Sequence, residues 1–139
     1  MNGMKIRSRV GSASVLAWLS LGLLAGCNDS DGGGSEDETL MVEHWNEVAV
    51  DASGVDHTPG FLQQPGPGRS SRAMAIVHIA VFEVVNAIKG GGFQTYLAPP
   101  LAAPPAGTSL RAAIAQASHD TLAAVFPLQA AAMSTELDD

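Results

Sequence analysis

The chain has 139 residues, a formal net charge of −7 and a single cysteine. That length holds one domain at most, and one cysteine excludes an intrachain disulfide. Seven basic residues against fourteen acidic ones leave no basic patch to neutralise phosphates, which excludes nucleic acid as a partner.

Lys5, Arg7 and Arg9 precede an apolar run from Val10 to Leu24. Charge, apolar run and then small residues predict a secretory signal over residues 1–26. The run is shorter than the roughly 20 apolar residues that a membrane span needs. Leu24-Ala25-Gly26-Cys27 resembles the bacterial lipobox. That resemblance implies cleavage before Cys27, with lipid on its thiol and on the new amino group. Membrane lipid is then a partner, and the protein is expected in the bacterial cell envelope, facing the periplasm or the exterior. Each buried acyl CH₂ is worth about 0.8 kcal/mol, so several chains hold the protein firmly.

Removal of residues 1–26 leaves four basic and fourteen acidic side chains. Residues 27–39 carry five of those acids among Gly, Ser and Asn, with no apolar residue after Cys27. Such a segment has nothing to bury and is expected to be a flexible tether. Asp29 and Asp31 beside the Gly run raise the idea of a calcium loop, but the later bidentate Glu is not in register.

The part expected to fold is 40–139. Leu40 to Ala52 predicts a first helix, capped by Thr39, with Met41, Trp45, Val48, Ala49 and Ala52 on one face. His44, Glu47 and Asp51 stand at i, i+3 and i+7 on the other side. They read as a solvated acidic face, with no second His at short spacing to complete a metal site. Seven Gly and Pro residues between Ser53 and Gly68 predict a loop. Within it Asp56-His-Thr-Pro59 reads as turn chemistry rather than as a pocket lining.

Ala73 to Ile88 has no Gly or Pro, and its polar residues are His78, Glu83 and Asn86. With Ser71 and Arg72 they fall in an arc of about 140° on a helix. The rest of the surface is Ala, Ile, Val, Met and Phe, so this stretch is expected to be the central, buried helix, started by Ser70 or Ser71. Lys89-Gly-Gly-Gly92 is a helix stop. Phe93 to Leu97 is expected to pack on the core, and Ala98 to Gly107, with four prolines, to be an extended connector.

Thr108 or Ser109 caps a further helix from Leu110 to about Phe126. Its expected inner stripe is Leu110, Ala113, Ile114, Ala117, Thr121, Ala124 and Val125. Pro127 ends it, and Leu128 to Leu137 begins a fourth helical pattern. The expected fold class is therefore all-α, a partial bundle of three to four helices. Domains of this size bury only about two-thirds of their unfolded surface. Two Ala-rich helices make that core thin, and the sequence reads as the opening of something larger.

Three stretches carry a resemblance: Val42 to Ala52, Gly68 to Ile88, and Arg111 to Leu122. The pattern at 72–87 is Arg-Ala-x-Ala-x-x-His-x-Ala-x-x-acid-x-x-Asn-Ala. From Met41 onward the chain resembles the amino-terminal helices of bacterial vanadium-dependent haloperoxidase-like proteins, within the type-2 phosphatidic acid phosphatase superfamily. The resemblance implies an all-α bundle, vanadate or a phosphate ester as the oxyanion, and catalytic groups in three motifs: Lys-x6-Arg-Pro, Pro-Ser-Gly-His and Ser-Arg-x5-His-x3-Asp.

Those motifs are not carried by this chain. Seven residues beyond Lys89, the one Lys after the signal, stands Tyr96. Ser71-Arg-Ala-Met-Ala-Ile-Val-His78 matches Ser-Arg-x5-His by spacing, but Phe82 stands where the family has Asp, so the imidazole lacks its orienting carboxylate. His78 is expected to be a satisfied polar group on a buried helix. No catalytic, cofactor-binding or metal residue is therefore assigned, and vanadate is implied for the parent family only. The expected function is that of an amino-terminal part of an exported, lipid-anchored protein of this kind, completed by carboxy-terminal helices of the same fold. The alternative is a small lipoprotein with a helical binding or scaffold role.

Overall fold

The computed structural model describes residues 32–138, with side chains from residue 36 onward. The signal segment, Cys27 and the Asp29/Asp31 stretch lie outside the described residues. The described chain is all-helical: α1 (Gly32–Asp56), α2 (Pro67–Ile88), α3 (Leu110–Val125), a short 3₁₀ turn (Pro127–Gln129) and α4 (Ala130–Asp138).

α1 is longer at both ends than the pattern predicts. At its start the acids expected in a tether reach basic partners instead. Glu38 Oε2 lies 3.0 Å from Lys89 Nζ, and Asp37 Oδ2 lies 3.8 Å from Arg111. Such exposed pairs are worth at most about 1 kcal/mol each, so they steer the helix more than they hold it. Thr39 lies inside α1 and so does not cap it. At the other end Gly54 costs about 1 kcal/mol relative to Ala within a helix. The helix continues past it because Trp45, Ala49, Ala52 and Asp56 form one buried stripe at i, i+4, i+7 and i+11.

α2 starts at Pro67, whose fixed φ suits a first helical position. Gly66 precedes it at φ 82°, a conformation that side-chain-bearing residues resist. Ser70 and Ser71 do not cap the helix. Their hydroxyls donate backward, Ser70 to the Gly66 carbonyl at 3.0 Å and Ser71 to the Pro67 carbonyl at 2.7 Å. The helix ends as expected, with Gly90 at φ 102° and the Gly91 N–H on the Asn86 carbonyl at 2.7 Å. This is the six-to-one bond of a Schellman motif.

The hub is α3 rather than α2, since α3 packs against α1, α2, α4 and the 3₁₀ turn. Ser109 caps it by accepting the Ala112 N–H at 3.2 Å. Its buried stripe is Leu110, Ile114, Ser118, Leu122 and Val125. The expected stripe was rotated toward alanines, and Ala124 is exposed. The small Ser118, with no exposed surface, lets neighbouring helices approach closely. α4 contributes Met133 to the same centre.

The larger apolar cluster gathers Trp45, Ala49, Ala52, Ala73, Val77, Leu122, Val125, Phe126 and Met133. A smaller one, Val81, Leu110 and Ile114, continues it along α2 and α3. The Gln129 amide donates to the Ala52 carbonyl at 2.9 Å and so ties the 3₁₀ turn to α1.

Candidate functional site

Two buried polar residues on α2 organise the most exposed apolar surface of the described chain. Glu83 is 3% exposed and Asn86 is 7% exposed. An α-helix has already used its own backbone bonds, so both side chains are free to hold the chain that follows. The Asn86 amide accepts the Phe93 N–H at 3.1 Å and donates to the Phe93 carbonyl at 2.9 Å. Glu83 accepts the Thr95 hydroxyl at 2.6 Å and the Tyr96 backbone N–H. Ionised acceptors make the stronger hydrogen bonds, and satisfied ones offset the cost of burial.

With their backbones held inward, Phe93 and Tyr96 turn their rings outward, 74% and 72% exposed. Both flank Phe82 of α2, with ring centroids 6.3 Å and 5.6 Å away, the second edge-on. Leu97 and Leu101 extend the apolar surface. The segment was expected to join the core. It instead covers the polar side of α2 and displays its aromatics. From Gly90 to Leu110 there is no charged residue, in a chain otherwise rich in acids.

α2 is left open mainly along its first half, at Ser71, Arg72, Ala75 and His78. Ala73, Val77 and Val81 face the core, whereas Ala75 and His78 are exposed and Ile79 is half-buried. It is one helix long and apolar enough to cross a membrane by length and composition, with 28% of its most apolar window buried. The buried Glu83 and Asn86 argue for a partly covered core helix instead.

The matched residues Ser71, Arg72 and His78 do not converge. Ser71 is bonded to its own helix, and Arg72 reaches the Gln64 side chain at 3.4 Å. His78 is exposed on α2, not a bonded group in the interior. Ser71 and His78 are separated by about 10 Å of helix rise. Two of the basic residues, Lys89 and Arg111, are taken by acids of α1. Gripping an oxyanion needs several fixed donors aimed at one point.

His44, Glu47 and Asp51 make no common site, and no group of three His, Cys, Asp or Glu residues suited to a metal occurs among the described residues. His44 sits 3.6 Å from Glu136 and edge-on to Trp45. That pair borders an open groove of about 690 Å³ between α1, α3 and α4, floored by Met41, Ala112 and Leu137.

Asp56 carries more than the turn role expected of it. It is fully buried, and its two carboxylate oxygens accept the N–H groups of Gln63 and Gln64 at 2.6 and 2.7 Å. Ser70 Oγ, shared between the Gly66 and Gln64 carbonyls, closes the loop at 3.1 Å from the latter. A second cluster was not foreseen: His119 Nδ1 lies 2.8 Å from Asp120 Oδ1, and His119 Nε2 lies 3.3 Å from Ser134 Oγ. Only the adjacent His-Asp pair was visible in sequence, because Ser134 arrives from α4.

No protein-family model, curated protein or solved structure matches this chain.

Proposed function

We propose that this chain supplies the amino-terminal, scaffolding helices of an exported vanadium-dependent haloperoxidase-like or acid-phosphatase-like protein, anchored through lipid on Cys27. The family's oxyanion chemistry belongs to motifs that this sequence does not carry. The single observation that supports the proposal most is the aromatic surface beside α2, where the exposed rings of Phe93 and Tyr96 gather around Phe82. Carboxy-terminal helices of the same fold are the partner this surface suits.

A small lipoprotein with a helical scaffold or binding role is the second assignment. The observation favouring it is internal: Asp56 and Glu83 tie both long loops to their own helices without outside help.

The nucleotide sequence downstream separates the two. Pro-Ser-Gly-His together with Ser-Arg-x5-His-x3-Asp in the same reading frame supports the first. A natural stop, with the lipidated chain monomeric, cooperative in thermal unfolding and silent to a hydrophobic dye, overturns it in favour of the second. Lipidation is tested separately: mass spectrometry of the envelope fraction is expected to find an acylated amino-terminal Cys27 peptide, lost in Cys27→Ser. An unmodified peptide beginning elsewhere overturns the anchor.

A further inference from the structure

From the hydrogen-bonded line Asp120–His119–Ser134 across α3 and α4, we infer that Ser134 is a nucleophile activated by His119, able to take an acyl group from small activated esters. Three side chains from two helices meet in the order that nucleophilic catalysis requires: nucleophile, base and orienting carboxylate. Ser134 Oγ is 3.3 Å from His119 Nε2, and His119 Nδ1 is 2.8 Å from Asp120 Oδ1. The Gln116 amide, 2.8 Å from the same Asp120 oxygen, holds the carboxylate in place from one turn earlier.

The tautomer follows from the carboxylate. Asp120 is held ionised below the ordinary carboxylate range, chiefly by its hydrogen bond with His119. An ionised carboxylate only accepts, so Nδ1 of the imidazole must carry the proton. In the neutral ring Nε2 is then a bare acceptor, and the proton that fills the 3.3 Å contact comes from the Ser134 hydroxyl. Ser134 Oγ also lies 3.1 Å from the Ala130 carbonyl. These are alternative destinations for one hydroxyl proton. At rest the hydroxyl donates to Ala130, and in the reaction it turns to the Nε2 of neutral His119.

The environment favours a small reagent. The His119 side chain is 17% exposed between α3 and α4, while Ser134 is exposed. Asp120 is the charged group placed against His119 among the described residues. Glu136, on the same helix as Ser134, is taken by His44. In the reaction, Ser134 Oγ bonds to the acyl carbon while its proton passes to His119 Nε2. The ester C–O bond breaks, and the leaving alcohol takes that proton. Water then attacks the acyl-serine by the same route, releasing the carboxylic acid and restoring the hydroxyl. His119 is the base, and Asp120 is a positioning residue.

The test uses the full chain, purified from membranes in detergent, with an alkyl fluorophosphonate and with p-nitrophenyl acetate. Peptide mapping is expected to find the phosphonyl group on Ser134. Labelling should be at least tenfold faster than in His119→Gln and absent in Ser134→Ala, in line with the roughly 10²-fold or more that a positioned base supplies. Acetate release should fall in parallel. Asp120→Asn should slow labelling, because the carboxylate that orients the ring is gone. Ser134 is exposed, so Ser134→Ala keeps the fold, and helical content by circular dichroism checks the other variants. Labelling spread over several serines, or equal in wild type and His119→Gln, overturns the proposal and leaves Ser134 an ordinary helical serine bonded to Ala130.

Discussion

The carboxylate of Glu83 accepts the backbone N–H of Tyr96, and the ring of Tyr96 therefore points out of the molecule. A buried acid on one helix thus dictates which side chains the next loop shows. Glu83→Ala removes two hydrogen bonds to a buried carboxylate, at a cost of about 2–4 kcal/mol. Chemical denaturation should show that loss. Hydrogen exchange should show the Tyr96 amide opening well before those of α3. An unprotected Tyr96 amide in the wild type would contradict the arrangement.

The loop between α1 and α2 depends on Asp56 in the same way. Asp56→Asn places an NH₂ group against the N–H of Gln63 or Gln64, and the expected loss is about 2–4 kcal/mol. Leu62, in the same loop, is 55% exposed with φ 38°, in the left-handed region. Leu62→Gly relieves that conformation and forfeits little burial, so it should be neutral or stabilise by up to about 1 kcal/mol, despite glycine's larger unfolded-state entropy. A loss above 1 kcal/mol would mean that the Leu62 side chain holds contacts the exposure does not suggest.

Phe126 ends α3 with no exposed surface, against Trp45 and Leu122. Phe126→Ala should cost about 3–5 kcal/mol, a large share of what a domain of this size has. The midpoint of thermal unfolding reads it. Phe93→Ala, by contrast, truncates an exposed ring and should change stability by less than about 0.5 kcal/mol.

Asp120 titrates below its ordinary range, first because of its hydrogen bond with His119. A carboxyl lowered in the folded state contributes stability that is complete above its unfolded pKa. That contribution disappears as pH falls through the folded value. Because the Asp120 side chain is 62% exposed, solvent screening keeps the contribution small. An NMR titration of the Asp120 side chain should give a midpoint below that of an unfolded peptide, and the difference should shrink in His119→Gln, where the Gln116 amide still holds the carboxylate.

The helices were legible because their signals are local. Ser109 and Gly90 mark ends by their own chemistry, and the stripe Trp45, Ala49, Ala52 is a simple period, whereas Pro67, which starts α2, was read as loop. What was hidden depends on partners distant in sequence. The acids of 36–38 looked like tether until Lys89 and Arg111 came within reach. Alanines on α3 drew the predicted stripe because they are apolar, yet burial followed Leu122 and the small Ser118. His78 and Phe82 occupied a familiar spacing, and the helix turned one outward and set the other among aromatics. The Asp120–His119–Ser134 line needed α4 folded against α3, which no short motif encodes.

The Gln129 side chain satisfies a carbonyl that lies 77 residues earlier, at Ala52. During synthesis that carbonyl, already bonded within α1, lacks this second partner until the intervening chain has left the ribosome. The far end of α1 therefore gains this brace only once Gln129 has emerged, so nascent chains halted before Pro127 should be cut by protease near Ala52 more readily than longer ones.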